Sequence, residues 1–283
     1  MIFRYYFLKE GNRVYDKSEL ITFLKANPYI RLEDEGMIKK AIYHNPNLKL
    51  DATFVFNNKS IIERIERLNP KYLDLNIYVE IPVLTNTYKV NRIIDIIQEI
   101  CFRFDFAVYN EYFEDVSKFD RSLLVSVFNL VKKAYKKRYE DEFVAYSKIN
   151  PDLLDNIYAF LDNKAQIETE TDLKALNYVF LRENDTRNAY TCLDLTFDQG
   201  FLIPPACKLA RYIKDGKYVV ISYEELIKKI GKYCKNVTNL SSLNVLAVED
   251  KYVRKINKVL TKTNFDKVIV PLSEVELDQI LDL

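Results

Sequence analysis

Glycine is scarce in this sequence. The chain has five glycines in 283 residues, about a quarter of the usual share of ~7%. They are widely spaced, at Gly11, Gly36, Gly200, Gly216 and Gly231. Phosphate-binding loops need several closely spaced glycines, because the backbone must approach the phosphates. Neither GxGxxG nor GxxxxGK[ST] occurs, so we expect neither a nucleotide site nor a cofactor.

Histidine and cysteine are also rare. His44 is the single histidine, so zinc sites with two or more histidines are excluded, and a Ser-His-Asp or Cys-His centre would have to use His44. The pattern places His44 at a turn after a strand, where it needs no catalytic role. The four cysteines form no CxxC pair, which excludes a zinc ribbon. We expect reduced thiols, with a Cys192–Cys207 pairing left open because both lie on adjacent predicted strands.

Long apolar runs are missing as well. No stretch of 18 apolar residues occurs, so the sequence predicts no membrane span. The N-terminal run of residues 1–8 contains Arg4 and no small-residue cleavage site, and it predicts a strand rather than a signal peptide. Together with the expected reduced thiols, this favours a cytoplasmic protein.

The composition, 48% hydrophobic and 29% charged, predicts a packed globule. The periodicity predicts an α+β fold with two domains, 1–146 and 147–283, each a mainly antiparallel sheet covered by helices. In the first domain we expect the following elements: strand 2–8, a helix over 19–26 capped by Ser18, a hairpin of 37–43 and 49–56, a short helix capped by Ser60, strand 73–84, a helix of about 15 residues whose apolar face runs from Tyr88 to Cys101, strand 104–109, and a long closing helix over 121–144.

The second domain is expected to carry strands between 176 and 222, followed by a helical tail. The predicted elements are a helix from Pro151, an exposed loop at 165–172, strands 176–181, 189–197, 201–213 and 218–222, helices 223–235 and 250–262, a short strand 268–270, and a final helix from Ser273 to Leu283. Asp215-Gly216 is a strong signal for a two-residue hairpin.

Charge is unevenly distributed along a chain whose net charge is +1. Residues 140–200 hold 13 Asp and Glu against 5 Lys and Arg, a net charge of −8. Residues 205–267 hold 14 Lys and Arg against 6 Asp and Glu, a net charge of +8. The two segments either face each other and cancel, or form separate patches that meet charged partners.

One short sequence pattern contains the residue types that a metal-dependent nuclease uses. Glu249-Asp250-Lys251 follows the apolar run 243–248, and Asp215 lies upstream at a hairpin. Such enzymes need clustered carboxylates and a lysine to hold a divalent cation and polarise water. The same residues also suit the start of a helix near residue 250, because carboxylates are favoured there. We assign no catalytic or metal-binding residue on this pattern.

Aromatic residues are abundant, with 21 Tyr and 17 Phe, and tyrosine suits protein interfaces because it covers area and keeps a polar tip. Seven aromatic residues are candidates for partial exposure: Tyr5, Tyr6, Tyr109, Tyr112, Phe113, Tyr139 and Tyr146. The alternative is that they form the edges of the core. As residues that bind a protein we select an aromatic group and an acidic group, namely Tyr109, Tyr112, Phe113, Glu168, Glu170 and Asp172.

The sequence thus favours a non-enzymatic intracellular protein that binds another protein. One form is an immunity or inhibitor protein that occludes a toxin or effector. The first alternative is nucleic-acid binding through the basic segment 205–267, with four lysines as contacts: Lys228, Lys232, Lys255 and Lys258. The second alternative is the metal-dependent nuclease.

Overall fold

In a computed structural model of the protein, residues 1–34, 36, 38–237 and 243–282 are described. The chain divides into two compact units, Met1–Asp141 and Glu142–Leu283, which we call the N-terminal and the C-terminal unit. Both contain helices and sheets, which confirms the α+β class. Among the described residues, no helix has both the length and the apolar character needed to cross a bilayer.

The N-terminal unit is built on one antiparallel sheet. Its strands and helices are β1 Ile2–Glu10, α1 Lys17–Lys25, β2 Ile30–Asp34, β3 Lys39–Asn45, β4 Leu50–Phe56, β5 Tyr72–Pro82, α2 Thr87–Phe104, β6 Ala107–Tyr109, β7 Ser117–Lys118 and α3 Arg121–Arg138. The strand order is β2-β3-β4-β5-β1-β6-β7, and β1, which is paired with β5 and β6, is buried along most of its length. The hairpin of β3 and β4 was predicted from the sequence, apart from Met37, which lies outside the described residues.

Helices cover one face of this sheet, and alternation along β1 decides which side chains they meet. Phe3 and Tyr5 face α3: the Phe3 ring lies 5.2 Å from the Phe128 ring, and the Tyr5 hydroxyl donates to the Leu124 carbonyl over 2.6 Å. Asp120 caps α3 by accepting from the Leu123 N–H over 3.1 Å, as its position before the apolar run predicts.

Loop side chains pack on the opposite face. Tyr6, Tyr78 and Tyr109 form a buried cluster there with Ile62 and Leu68 from the connection between β4 and β5. The expected partial exposure of Tyr5, Tyr6 and Tyr109 is therefore wrong, because both faces of the sheet are covered.

The described residues of the C-terminal unit form three sheets rather than the single sheet expected. Its elements are β8 Ser147–Lys148, α4 Pro151–Thr171, β9 Lys174–Ala175, β10 Tyr178–Glu183, β11 Ala189–Asp194, β12 Phe201–Ile203, β13 Leu209–Lys214, β14 Lys217–Ser222, α5 Tyr223–Ile230, β15 Cys234–Asn236, β16 Leu246–Val248, α6 Asp250–Lys262, β17 Leu272–Val275 and β18 Ile280–Leu281. The sheet orders are β14-β13-β11-β10-β17, β15-β16-β12-β9 and β18-β8. The pairs β11–β13, β9–β12 and β8–β18 are parallel.

The predicted strand 201–213 is in fact two strands in different sheets. Pro204 and Pro205 separate β12 from β13, because proline has no N–H for a ladder and restricts the residue before it. The Asp215-Gly216 hairpin between β13 and β14 was predicted correctly, with Ile213 opposite Tyr218.

The predicted exposed loop at 165–172 is wrong, because α4 continues to Thr171. Ile167, seven residues beyond Phe160, is buried with it in one cluster. Gln166 donates to Glu170 one turn later over 2.7 Å. Burial of a single apolar side chain at helical spacing thus outweighs the polar composition.

The predicted final helix from Ser273 is also wrong. Ser273 lies in β17, and the backbone of β17 forms its hydrogen bonds with β10 in an antiparallel pair. The expected end of that helix, Leu283, lies outside the described residues. Three other helices differ in extent: α1 is capped by Asp16 rather than Ser18, the segment after Ser60 forms only a 3-10 turn at 65–67, and α5 ends at Ile230 before a 3-10 turn and β15. The helix α3 likewise ends at Arg138 instead of reaching residue 144.

Candidate functional site

Two tyrosines of the basic segment lie side by side, with lysines around them. Tyr233 follows α5 and Tyr252 lies in the first turn of α6, and their rings are 5.5 Å apart with an interplanar angle of 35°. Both are half-buried, with their inner edges packed on the core of the unit. The two elements meet because Leu226, Ile230 and Ile256 bury their apolar faces in that same core.

The lysine ammonium groups surround this pair of rings. Lys232 Nζ lies 5.1 Å from the Tyr233 ring centre, and Lys251 Nζ lies 5.1 Å from the Tyr252 ring centre. Lys255 Nζ lies 5.9 Å from the first ring and 5.3 Å from the second. These distances allow cation–π attraction, worth about 0.5–1 kcal/mol per exposed contact. We call these five residues the lysine–tyrosine surface.

The four lysines selected from the sequence are only partly brought together. Lys232 and Lys255 belong to the lysine–tyrosine surface. Lys258 is exposed one turn further along α6. Lys228 forms an ion pair over 2.8 Å with Glu224 on its own helix, where the bond holds the pKa of that carboxyl below its usual value. Sequence reasoning missed the two tyrosines, although each directly follows a lysine.

Glu249 joins two lysines instead of facing other carboxylates. It accepts hydrogen bonds from Lys235 and Lys251, which lower its pKa to about 2. Asp250 begins α6 and accepts from the Gly200 N–H. Among the residues that the structure describes, no three His, Cys, Asp or Glu side chains form a group suited to a metal ion. Glu249 and Asp250 of the nuclease pattern thus have structural partners at the start of α6.

A second exposed surface lies on the five-stranded sheet of the C-terminal unit. Ile213 and Tyr218 are opposite each other on β13 and β14 and are 59% and 58% exposed. Their neighbours Tyr212 and Val219 point into the core, so these two side chains stand on the opposite face. The Arg211 guanidinium lies 4.6 Å from the Tyr218 ring centre. We call Arg211, Ile213 and Tyr218 the Tyr218 surface.

Two carboxylates hold Arg211 beneath Tyr218. Its Nη2 atom is 2.8 Å from Asp194 Oδ2, and its Nη1 atom bonds Glu274. Burial opposes the charged form, but the hydrogen bonds that Arg211 donates to Asp194 and Glu274 outweigh burial and raise the pKa of Arg211. The Arg211–Asp194 pair connects the basic segment with the acidic one, whereas Lys228, Lys235 and Lys251 pair within the basic segment.

The aromatic residues selected for protein binding lie around the end of β6. Tyr109 is buried, Phe113 is half-buried with its ring 6.4 Å from that of Tyr109, and Tyr112 is 55% exposed. The Asn110 side chain shapes this loop, because it accepts from the Tyr112 N–H over 3.0 Å and donates to the Arg4 carbonyl over 2.7 Å. Tyr112 is thus the member that offers most surface to a partner.

The selected acidic residues lie at the end of α4. Glu168 is half-buried and accepts from the Ala175 N–H over 2.9 Å and from Lys174 over 3.3 Å, so it joins α4 to β9. Glu170 and Asp172 are exposed, and Asp172 ends the helix with a φ of 54°. The structure gives Glu168 a structural role and leaves the other two on the surface.

The rare reactive side chains are placed unfavourably for nucleophilic chemistry. All four cysteines are free, and burial raises the pKa of the Cys101 and Cys192 thiols to about 12. His44 is exposed near the end of β3, opposite Asp51 of β4, with Nδ1 2.6 Å from Asp51 Oδ1. Exposed pairs of this kind add little to stability.

The chain matches no protein-family model, no curated protein and no solved structure in comparisons with known proteins.

Proposed function

We propose that this chain is a non-enzymatic cytoplasmic protein that binds another protein, in the manner of an immunity or inhibitor protein that occludes its target. The Tyr218 surface carries this proposal. Tyrosine and arginine are the residue types most enriched at binding hot spots, together with tryptophan. Here a tyrosine ring lies exposed over an arginine that two carboxylates already hold in place.

The arrangement suits binding because it lowers the entropic cost of docking. A side chain that is ordered before the partner arrives loses less freedom in the complex. Ile213 adds apolar area beside the ring. The segment 267–270 runs antiparallel to β14, with the Val268 N–H donating to the Val220 carbonyl over 3.0 Å. It extends toward the Tyr218 end of the strand and carries exposed Ile269 and Val270.

Replacing Tyr218 with alanine is expected to weaken partner binding about 30-fold, because truncating a hot spot costs about 2 kcal/mol. The partner is first captured from lysate of the source cells at 0.5 M salt after nuclease treatment, then purified for titration calorimetry. Phe102→Ala removes an exposed aromatic side chain from the N-terminal unit, outside every surface selected for binding, and should change Kd less than about twofold. An equal loss in both variants would contradict the assignment to Tyr218. Capture of no protein that binds saturably would contradict protein binding itself.

The second candidate function, nucleic-acid binding, is favoured by the lysine–tyrosine surface. Single-stranded nucleic acid is held by aromatic rings that stack with bases and by cations that track the phosphates. Here three lysines surround two neighbouring tyrosine rings. Glu249 reduces the local positive charge by pairing with Lys235 and Lys251.

For this candidate, Tyr252→Ala is expected to weaken binding of a labelled single-stranded oligonucleotide about tenfold, because stacking contributes about 1–3 kcal/mol per base. Charge reversal at Lys228, Lys232, Lys255 and Lys258 should abolish binding, and wild-type affinity should fall steeply between 50 and 200 mM salt. Lys217→Glu on β14 reverses one charge away from these rings and serves as the control for Lys255→Glu alone, which reverses one charge beside both rings. An affinity that changes neither with salt concentration nor with the four lysine charge reversals would contradict this function.

We further propose that the two units are separate domains with the boundary near residues 146–147. Each unit has buried apolar clusters of its own, which supports this division. The variants Phe128→Ala and Gly200→Ala test this division, because each lies in a different unit.

A further inference from the structure

A cleft of about 630 Å³ opens in the C-terminal unit where β8 leads into α4. Residues 148–153 form one wall, and the first residues of β11 and β13 form the other. Main-chain hydrogen bonds fix both walls: the Lys148 N–H donates to the Arg187 carbonyl over 3.1 Å, and the Lys208 N–H donates to the Thr191 carbonyl over 2.9 Å. Binding sites for small molecules usually measure 300–1,000 Å³, so the size fits a small molecule.

The lining combines apolar walls with positive charge. The apolar side chains are Ile149, Pro151, Leu153 and Leu209, and the charged ones are Lys148 and Lys208. Within the described part of the chain, no Asp or Glu side chain lines the cleft. A cleft lined by lysines and by no carboxylate is unexpected here, because most of its lining residues belong to the segment 140–200, which has a net charge of −8.

Both lysines keep their ammonium groups available. Neither forms an ion pair with a carboxylate of the described residues, and both are exposed. The pKa of Glu224 is lowered mainly by Lys228, and Lys208 contributes only a small part of this shift. The first amides of α4 are already bonded to the Asn150 side chain. Attraction for an anion therefore comes from the two lysines and not from the helix end.

We propose that this cleft binds a small organic anion with an apolar body, such as an aryl or alkyl carboxylate or sulfonate. The anionic group contacts the ammonium groups of Lys148 and Lys208, and the body lies against Leu153 and Leu209. Charge-assisted hydrogen bonds fix the orientation of the ligand, while burial of its apolar part provides most of the affinity. This site shares no residue with the Tyr218 surface or the lysine–tyrosine surface.

The test uses two probes of nearly equal shape, 1-anilinonaphthalene-8-sulfonate and its uncharged analogue N-phenyl-1-naphthylamine. The full chain is expected to bind the sulfonate saturably at one site and the uncharged analogue at least about tenfold more weakly, because the analogue cannot form charge-assisted hydrogen bonds with the two lysines. Combined Lys148→Gln and Lys208→Gln substitution should remove this preference. Affinity is measured by fluorescence titration and calorimetry.

Two further variants separate the cleft from other apolar surface. Lys214→Gln with Lys217→Gln removes the same charge at the β13–β14 hairpin and should leave the preference unchanged. Leu209→Trp should fill the cleft and weaken both probes. Circular dichroism checks that each variant is folded. Equal affinity of the wild type for both probes, a preference that survives the Lys148 and Lys208 changes, or no saturable binding would each overturn the proposal.

Discussion

Replacing Phe128 with alanine is expected to lower the free energy of unfolding by about 3–5 kcal/mol, the usual cost of truncating a buried phenylalanine. Phe128 is fully buried on the inner face of α3, and its ring meets the edge of Phe3 on the central strand β1. The sheet and the hydrogen-bonded contact of Tyr5 with Leu124 hold α3 in place, so the helix cannot move in to fill the space. The change is measured by urea unfolding followed by circular dichroism.

Phe102→Ala is the matched control for this variant. Phe102 also lies in a helix of the N-terminal unit, but it is 69% exposed. The same truncation there should change the free energy of unfolding by less than about 0.5 kcal/mol. Similar losses in the two variants would contradict the packing of α3 against β1.

Replacing Gly200 with alanine is expected to cost about 3 kcal/mol, although only one methyl group is added. A Cβ at this buried position would lie 2.8 Å from the Val248 carbonyl oxygen and 3.0 Å from the Asp250 nitrogen. These are backbone atoms at the junction of β16 and α6, so no side-chain rotation relieves the contact. The Gly200 N–H also donates to the Asp250 side chain, and a shift of the backbone would weaken that bond.

Gly231→Ala is the matched control in the same unit, and here the added methyl group is not expected to lower the free energy of unfolding. Its Cβ would lie 3.6 Å from the nearest side-chain atom, an ordinary contact, and its backbone is helical at the end of α5. Alanine should therefore be neutral or stabilise by up to about 1 kcal/mol.

If the two units are separate domains, Phe128→Ala and Gly200→Ala should each shift a different unfolding transition. A single transition shifted by both variants would contradict that division.

The sequence predicted those elements whose signal is local. The hairpins of β3–β4 and β13–β14 follow from alternation on either side of a turn, and the caps Asp120 and Asn150 precede apolar residues at helical spacing. The elements that were missed or wrong depend on distant partners. The sequence after Ser273 is typical of a helix, but Ser273 lies in β17, which pairs with β10, a strand about 90 residues earlier in the chain.

The same distinction applies to the candidate sites. Aromatic abundance indicated interfaces, but exposure is decided by the packing of distant loops, which buries Tyr109 and leaves Tyr112 outside. The Asp215-Gly216 turn was sufficient to place Ile213 beside Tyr218. The position of Arg211 between Asp194 and Glu274 was not predictable, because it requires the parallel pairing of β11 with β13 and the antiparallel pairing of β10 with β17. The cleft likewise forms between segments that are about 40–60 residues apart.

The edges of the two large sheets restrict how a protein partner can be recognised. The seven-stranded sheet ends in β2, which carries Arg31, Glu33 and Asp34, and in β7, which has only two residues. Beside β14, the edge of the five-stranded sheet is occupied by the segment 267–270. Charged, very short or covered edges are poor templates for the addition of a foreign strand. At these three of the four edges, the addition of a partner's strand is therefore disfavoured, which favours recognition by side chains on the faces of the sheets.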